Sequence, residues 1–512
     1  MEHLFEKLSQ YAGEGIYPYH MPGHKRRSCG MLPEELYKID ITEIDGFDNL
    51  HRAEGILRMA QEEAARLYGA EESFYLVNGS TCGILSAVSA AVPSGGHILM
   101  ARNCHKSAYH AAYLRHLKVS YLYPGQLEAF DILDAVTPQQ VRQALEQEPD
   151  TEAVLLVSPT YEGRIADIGA IAEIVHEKGI LLIVDEAHGA HLGLADGFCQ
   201  NSCQAGADLV IHSVHKTLPA LTQTALLHCN GGRVDRNRLK RFLRIYQTSS
   251  PSYPLMAGIE NALQYAARGE EAFRYFRERY GRMLGELSKC RHLQILQGGQ
   301  TRQDVGKLVM GVKQAGITGK YLYDILLGKY GLQLEMATQS FALAMFTVND
   351  GEEAYERMTK ALLEIDAGLR RRTGQGCDTH IGEAKRRKEL PMGTGPGKRN
   401  WPEDGTGGSG GKAGDAIPLS DAWDREAEET DLEKSVGRYS AEFVSLYPPG
   451  VPLLVPGERI TKDICQRIRE DMETGLTVEG IRGREEDRGV RISVIRQNAG
   501  PAPGKKRRAG GS

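Results

Sequence analysis

A lysine and an aspartate each follow an apolar stretch of the chain, and their types and positions suggest one kind of chemistry. Lys216 lies in Ser213-Val-His-Lys-Thr217, shortly after the apolar run 207–211, and Asp185 ends the apolar run that begins at Ile180. Pyridoxal phosphate (PLP) chemistry needs both groups. The acid pairs with the protonated ring nitrogen, and the lysine holds the aldehyde as a Schiff base. The pair alone does not define such a site, because most such side chains are solvated.

Two more polar segments follow strand-like runs. Asn78-Gly79-Ser80-Thr81 precedes a helix of small residues, where N–H groups and hydroxyls can cradle a phosphate. The same segment also fits an ordinary helix N-cap. His105 follows the run Ile98–Met100. Its imidazole could stack on a flat cofactor ring, or it could be a partly exposed polar residue. Local sequence leaves both alternatives open for each segment.

Two rival interpretations concern Asp185-Glu-Ala-His188. The same four residue types occur in the Walker B strand of helicases, but that function needs a G-x-x-x-x-G-K-[ST] loop. No Gly-Lys pair in this chain is followed by Ser or Thr, so the ATPase interpretation is rejected. A zinc site could use His188-x-x-His191 with Cys199-x-x-x-Cys203. That spacing matches no common zinc signature, and we therefore predict no metal site.

The elements that must position these residues follow from hydrophobic patterning. Helical spacing runs from about Ala53 to Leu67, and small residues continue from Ile84 to Ala91. Strand-like runs alternate with helical or loop stretches: Phe74–Val77, Ile98–Met100, Ala153–Val157, Ile180–Val184, Leu209–Val214 and Ala225–His228. Continuous apolar strands of this kind indicate a parallel sheet that is covered on both faces. Sites in such sheets lie at the carboxyl ends of the strands, where Asp185 and Lys216 fall.

Composition divides the chain into several units. Residues 291–371 read as a smaller α/β unit, with strands at Lys307–Val312 and Phe341–Thr347 and helices at Lys320–Lys329 and Glu352–Arg370. Gly, Lys, Arg and Pro dominate the stretch that follows, which predicts a flexible linker. The predicted units are an N-terminal segment (1–55), a large domain (56–290), a small domain (291–371), a linker (372–425), a C-terminal α+β domain (426–496) and a disordered tail (497–512).

Overall composition excludes several classes of protein. The 512 residues carry a net charge of −5, which argues against nucleic acid as the main partner. Nine cysteines, an odd number, suit a reducing compartment better than a disulfide scaffold. No apolar segment follows Met1, and no run approaches the ~18 apolar residues of a membrane span. We therefore expect a cytoplasmic protein without nucleic-acid or membrane partners.

Eight segments, in order along the chain, resemble one known family, the Orn/Lys/Arg decarboxylases. These segments are Tyr19-His-Met-Pro-Gly-His-Lys25, Asn78-Gly-Ser-Thr81, Asn103-Cys-His-Lys-Ser107, Pro159-Thr-Tyr-Glu-Gly163, Asp185-Glu-Ala-His188, Ser213-Val-His-Lys216, Thr248-Ser-Ser-Pro-Ser-Tyr253 and Tyr447-Pro-Pro-Gly-Val-Pro452. The resemblance implies PLP as cofactor and an α/β fold like that of aspartate aminotransferase. Within the family, the chain resembles the shorter, biosynthetic-type members, which lack an N-terminal wing domain.

The resemblance also implies roles for individual residues. Lys216 would carry PLP, Asp185 would bind the ring nitrogen, His105 would stack on the ring, and His215 would be a proton donor. Further cofactor-binding residues would be Gly79, Ser80, Thr81, His188 and Ser213. Within Thr248–Ser250, Ser249 would reach the phosphate in the partner's site, so the active form would be a homodimer or a higher homo-oligomer.

The implied reaction is the decarboxylation of a basic L-amino acid to CO2 and an amine of the polyamine pathway, with arginine favoured over lysine and ornithine. Aminotransferase or aldolase chemistry and a catalytically silent PLP-binding protein are the alternatives. Aminotransferases usually hold the substrate carboxylate with an arginine, and 332–348 contains none. A carboxylate must bind the distal cation of the substrate. The candidates are Glu43, Asp45, Glu335 and Glu458.

Overall fold

A computed structural model describes residues 3–14, 22, 33–298, 302–374, 416–447, 450–483 and 489–496. Three sequence predictions fall largely outside these ranges. They are the motif at 19–25, the central part of the linker (375–415) and the disordered tail at 497–512.

The helices alternate with strands through the first half of the chain. They are α1 (Leu4–Gly13), α2 (Glu34–Ile39), α3 (Ile56–Tyr68), α4 (Gly79–Ala91), α5 (Lys106–Leu114), α6 (Pro138–Gln147), α7 (Ile168–Glu177), α8 (Val214–Thr217), α9 (Arg236–Tyr246), α10 (Tyr253–Ala267), α11 (Glu270–Leu287), α12 (Gly319–Tyr330), α13 (Glu352–Gly374), α14 (Leu419–Ala422) and α15 (Lys462–Glu473). Short 3-10 turns occur at Lys313–Ala315 and Leu432–Ser435.

The strands form one large sheet and several smaller ones. They are β1 (Glu72–Leu76), β2 (His97–Ala101), β3 (Lys118–Leu122), β4 (Gln126–Leu127), β5 (Ile132–Leu133), β6 (Ala153–Val157), β7 (Arg164–Ile165), β8 (Leu181–Asp185), β9 (Leu209–His212), β10 (Ala225–Cys229), β11 (Gln294–Ile295), β12 (Arg302–Gln303), β13 (Lys307–Gly311), β14 (Met336–Ala337), β15 (Phe341–Met345), β16 (Ala427–Asp431), β17 (Val444–Leu446), β18 (Pro452–Leu454), β19 (Val478–Glu479), β20 (Ile481–Arg482) and β21 (Arg491–Ile495).

The large sheet has seven strands in the order β1-β10-β9-β8-β6-β2-β3. Six of them point the same way, and β10 runs antiparallel to both of its neighbours. The prediction of a mostly parallel α/β sheet is confirmed, and β10, which contains the predicted run Ala225–His228, is the antiparallel strand of this sheet. Residues 213–224 contain only the single turn α8, which is too short for a crossover helix, so the chain returns antiparallel.

Small residues let helix α4 lie close against this sheet. A Cβ atom on Gly83 would lie 2.7 Å from Cδ1 of Leu76 in β1 and 3.1 Å from Cγ2 of Ile211 in β9. Both neighbouring side chains are fully buried, so they have little room to move aside. The small residues of this helix therefore bring its N-terminus close to the carboxyl ends of the strands.

Residues 291–298 and 302–374 contain a small antiparallel sheet with helices. Strands β11, β13, β15 and β14 make a four-stranded antiparallel sheet. Helix α12 packs on this sheet, and α13 packs along α11 of the preceding segment. The strand β13 begins at Lys307, a residue that is almost completely buried.

The C-terminal residues form two three-stranded sheets, β16-β21-β20 and β18-β17-β19, around a core that includes Ile468 of α15. The predicted linker reached to residue 425, but residues 416–425 are packed. Leu419 and Ala422 of α14 are buried, and Trp423 stacks on His110 of α5 at 5.6 Å. Apolar side chains here bind the start of the C-terminal unit to the large domain, so the linker prediction is wrong for these residues.

Candidate active site

A cavity of about 910 Å³ opens at the carboxyl edge of the large sheet. Its walls come from three parts of the chain. The turn before α4 and the ends of β6, β8 and β9 supply one part, and strands β14 and β15 of the small unit supply another. Leu446, Tyr447 and residues 451–453 supply the third. The parallel strands thus deliver several loops to one place, as expected for a sheet of this class.

Asp185 and Lys216 both line this cavity. Asp185 ends β8 and is buried, and its Oδ1 atom accepts a hydrogen bond of 3.2 Å from the N–H of Ala187. Burial raises the pKa of the Asp185 carboxyl, and Lys216 acts in the opposite direction. Lys216 lies on the single turn α8, directly after β9. Burial lowers the pKa of its amine, while Asp185 and Glu335 oppose this effect. A protonated ring nitrogen would give Asp185 the cationic partner that a buried carboxylate requires.

The turn before α4 has the form of a phosphate cradle. Gly79 has a φ of +73°, which favours glycine, and Ser80 and Thr81 follow it in the first turn of the helix. The first N–H groups of a helix have no partner within the helix and can bind an anion. Here the N–H of Gly79 donates to the carbonyl oxygen of Gln223 at 3.0 Å, so the following residues would supply the donors. Gly79, Ser80 and Thr81 all line the cavity.

Ser213 completes this cradle. Its side chain is fully buried and lines the cavity, and its Oγ atom has no hydrogen-bond partner among the described residues. A buried hydroxyl without a partner costs free energy, and a phosphate oxygen would satisfy it. The predicted phosphate ligands are therefore brought together, and they fit the phosphate of PLP.

His105 lines the same cavity at the N-terminus of α5. Its Nδ1 atom accepts a hydrogen bond from the N–H of Ser107, which fixes the ring. Burial lowers the pKa of His105 to about 4, so the ring is neutral near pH 7. A Cβ atom on Gly450 would lie 3.7 Å from the imidazole, which places the backbone of the C-terminal unit against it. A neutral, held ring of this kind is suited to stacking on a cofactor.

His215 lines the cavity beside Lys216. Its Nδ1–H donates a hydrogen bond of 2.9 Å to the carbonyl oxygen of Thr224. This bond requires the proton to be on Nδ1, so Nε2 carries a lone pair in the neutral ring. Burial lowers the pKa of His215. The residue is therefore a base at rest, and it must first take up a proton at Nε2 before it can donate one.

His188 contacts a residue that the sequence patterns did not single out, Lys307 on β13. Nε2 of His188 is 3.0 Å from Nζ of Lys216, and its Nδ1 is 2.7 Å from Nζ of Lys307. Lys307 is 119 positions away in sequence and buried. A lysine at the start of a strand gives no sequence signal for such a role.

Glu335 is the one residue of the four candidate carboxylates that lines the cavity. The hydroxyl of Tyr161 donates a hydrogen bond to its Oε1. Glu458 instead forms an ion pair with Arg102, with 2.8 Å between Oε2 and Nη2. Glu43 and Asp45 lie outside the lining residues. Sequence alone gave these four residues the same weight.

The C-terminal unit contributes residues to the cavity, some from the motif at 447–452 and two, Leu453 and Arg467, that no motif identified. Tyr447, Val451, Pro452 and Leu453 line the cavity, and so does Arg467 of α15. Ser249 does not line this chain's cavity and is exposed, so its role in a partner's site stays a prediction.

Two groups of side chains in the part of the chain that the structure describes have a spacing that could hold a metal ion. His97 with Glu148 and Asp150, and His3 with Glu63 and Glu260, have suitable spacing. Neither group includes His188, which contacts lysines instead. Within the described ranges, no helix combines the length and the apolar character needed to cross a membrane.

A lysine and a buried acid at neighbouring strand ends, next to a phosphate cradle, define the site of a PLP-dependent α/β enzyme. Comparison with known families agrees. Residues 2–297 match the family described as "Orn/Lys/Arg decarboxylase, major domain", and residues 418–471 match its C-terminal domain. The chain belongs to the Orn/Lys/Arg decarboxylase family, whose members are PLP-dependent enzymes.

Individual relatives support the same assignment. The chain is 30% identical over 493 residues to an arginine decarboxylase of Bacillus subtilis (strain 168), covering 93% of this chain and 95% of that one. It is 24% identical over 542 residues to the constitutive lysine decarboxylase of Escherichia coli (strain K12), covering 89% and 75%. The structure of a Francisella novicida lysine decarboxylase superposes with a TM-score of 0.77 at 16% identity, covering 96% of this chain and 81% of that one. This last similarity shows the fold.

Proposed function

We propose that this protein decarboxylates L-arginine to agmatine with PLP bound at Lys216. The observation that carries this proposal is the pairing, in one cavity, of the PLP-type residues Asp185 and Lys216 with an acidic residue, Glu335, that is available to bind a cationic side chain. The family assignment supports decarboxylation of a basic amino acid. The choice of arginine over lysine and ornithine goes beyond the family assignment and is part of this proposal.

The chain's own residues would divide the work as follows. When bound, PLP supplies an electron sink for the bond that loses CO2. Asp185 holds a proton on the ring nitrogen, and the α4 turn with Ser213 anchors the phosphate. His105 supports the ring on one face. In the overall reaction, the substrate loses CO2 and its α-carbon gains a proton. The candidate donors of this proton are Nε2 of His215 and the amine of Lys216.

Glu335 would bind the distal cation of the substrate. Its carboxylate is accessible, and its described contact is the hydroxyl of Tyr161. A carboxylate accepts two parallel N–H bonds from a planar guanidinium, whereas an ammonium offers a single point of charge. The relatives named arginine decarboxylase also share more identity with this chain than the lysine decarboxylase of E. coli.

We also propose that the active form is a homodimer in which Ser249 reaches the partner's phosphate site. Thr248 donates its N–H to Oδ1 of Asn78 at 3.1 Å, so this segment lies beside the phosphate cradle of its own chain. Ser249 is exposed there, and Leu221 and Ile245 expose 51% and 60% of their surface on the neighbouring segments. Exposed apolar side chains of this size favour coverage by a second copy.

The test is to incubate the purified, PLP-loaded protein separately with L-arginine, L-lysine and L-ornithine, and to identify the products by mass spectrometry. We expect agmatine and CO2 from arginine, and no product from the Lys216→Ala variant. Cadaverine or putrescine as the main product would reject arginine but retain the reaction. No amine from any substrate, with PLP bound, would reject decarboxylation.

A further inference from the structure

The imidazole of His188 lies between two lysine amines. Its Nε2 is 3.0 Å from Nζ of Lys216, and its Nδ1 is 2.7 Å from Nζ of Lys307. His188 and Lys307 are 6% and 2% exposed, so water has little access to either hydrogen bond. Three basic groups therefore share two N–H···N bonds, and the number of protons they hold together is limited.

Counting donors and acceptors sets that limit. A neutral imidazole has one N–H donor and one accepting nitrogen, whereas an ammonium has three donors and no acceptor. The N–H of His188 must point at an amine that has lost its proton, so at most one of Lys216 and Lys307 is an ammonium. An imidazolium is disfavoured, because burial and the two neighbouring amines hold the pKa of His188 well below its ordinary value.

The other neighbours of Lys307 identify it as the ammonium. Its Nζ is 3.4 Å from the thioether sulfur of Met345 and 5.6 Å from the ring centre of Tyr161. A thioether accepts a hydrogen bond, and an aromatic face attracts a cation. Burial lowers the pKa of Lys307 to about 8, with Asp304 opposing the effect, so the amine is still mainly protonated at pH 7.

We propose that Lys307 is a positioning residue that fixes the proton of His188 on Nε2 and thereby keeps the amine of Lys216 neutral. Lys307 donates to Nδ1 of His188, and Nε2–H of His188 donates to Nζ of Lys216. This inference rests on the proposed function, in which Lys216 must attack the PLP aldehyde as a neutral amine. Lys307 does not line the cavity and acts through His188.

Several other charged or titratable groups face this chain of nitrogens. Asp185 and Glu335 favour the protonated form of Lys216. Asp304, Glu335 and Glu162 favour the protonated form of Lys307. His105 and His215 lie near His188 and disfavour its protonation further. The two acids favour the ammonium form of Lys216, whereas the N–H of His188 favours the neutral amine. Removing this N–H should therefore raise the pKa of Lys216.

The experiment measures the pKa of Lys216 in the full-length chain without PLP or substrate. Trace acetylation with isotopically labelled acetic anhydride over a range of pH, followed by peptide mass spectrometry, reports the reactivity of individual lysines. His188→Phe keeps a ring of similar shape but removes both nitrogens. We expect this variant to raise the pKa of Lys216 and to reduce its acetylation near pH 7 about tenfold, which corresponds to about one pKa unit. Lys320→Met removes a lysine that pairs with Asp324 on α12, and it serves as the control without effect.

The opposite arrangement, in which Nε2 accepts a proton from Lys216, predicts the opposite sign. A lowered or unchanged pKa of Lys216 in His188→Phe would therefore overturn the proposal. Lys307→Met should raise the pKa of Lys216 in the wild-type background and have much less effect in the His188→Phe background. An equal effect in both backgrounds would mean that Lys307 acts by charge alone, which would also overturn it.

His188→Leu replaces His188→Phe where that variant does not fold, because it also removes both nitrogens, and the expected sign is the same. Because neither cofactor nor substrate is present, the result is independent of the decarboxylation assay. A protein that decarboxylates none of the three amino acids could still show the predicted shift at Lys216, and an active decarboxylase could fail to show it. Failure of the proposed function and failure of this inference are therefore distinguishable.

Discussion

Arg102 and Glu458 form an ion pair across 356 positions of sequence, with 2.8 Å between Nη2 and Oε2. Arg102 is buried and Glu458 is largely buried. Arg102 also donates from Nη1 to the carbonyl oxygen of Pro452, which belongs to the segment that closes the cavity. Because Arg102 directly follows β2, this contact joins the large sheet to the C-terminal unit. The same ion pair occupies the carboxylate of Glu458.

The first prediction concerns this ion pair. Arg102→Met should reduce the free energy of unfolding by about 3–5 kcal/mol, because it leaves the Glu458 carboxylate without its cation. The matched control is Arg357→Met, which breaks an exposed pair with Glu353 on α13. That change should cost less than about 1 kcal/mol. Denaturant unfolding of both variants provides the comparison, and equal losses would contradict the prediction.

The second prediction concerns Glu335. Glu335→Gln removes the charge but keeps the shape, so it should weaken binding of the cationic substrate by about 1.5–3 kcal/mol, or roughly 10- to 150-fold in KM. The rate at saturation should change much less, because the distal group does not react. Steady-state kinetics with L-arginine measure both constants. Glu356→Gln, on the exposed face of α13, is the control, and a large fall in kcat without a rise in KM would reject the assignment.

The third prediction concerns the pH dependence of stability. Burial lowers the pKa of His105 from 6.5 to about 4, so between these values the unfolded chain binds a proton that the folded chain does not. The neutral state of His105 therefore contributes to the free energy of unfolding above pH 6.5. This contribution is lost as the pH falls towards 4, by up to about 1.4 kcal/mol per pH unit. His105→Phe should flatten the pH dependence in this range.

Unfolding at a series of pH values checks this. His292→Phe replaces a partly exposed histidine in the small unit and serves as the reference. An unchanged slope in His105→Phe would show that other groups are responsible for the acid sensitivity.

The fourth prediction concerns Gly450, whose φ is +77° and whose absent Cβ would face His105 at 3.7 Å. Gly450→Ala should cost about 1–2 kcal/mol of stability from the backbone alone. The added methyl group would contact the His105 imidazole at an ordinary van der Waals distance, so PLP binding should be retained. Gly437→Ala is the control, since its φ is +85° and the nearest atom to a Cβ there is the surface guanidinium of Arg459. Cofactor absorbance that falls in Gly450→Ala and not in Gly437→Ala would contradict this expectation.

The sequence predicted those parts of the site that depend on local pattern. Asp185 and Lys216 follow apolar runs, and such runs in a parallel sheet place their ends at one edge. The direction of β10 was not predictable from its apolar residues, because a buried strand looks the same in either direction. Lys307 was missed for a related reason: its partner His188 is 119 positions away, and only the three-dimensional fold brings them together. Glu335 could be separated from Glu458 only once the partner of each was known.

The closing segment of the cavity has a consequence for how the protein is made. The cavity residues Leu446, Tyr447 and 451–453, together with Arg467, leave the ribosome long after the phosphate turn and Asp185. A nascent chain that has already assembled the large sheet therefore still has an open cleft, with His105 uncovered on the side that Gly450 later occupies. Enclosure of the cavity is a late event in biogenesis, and a chain truncated before residue 446 would lack this wall.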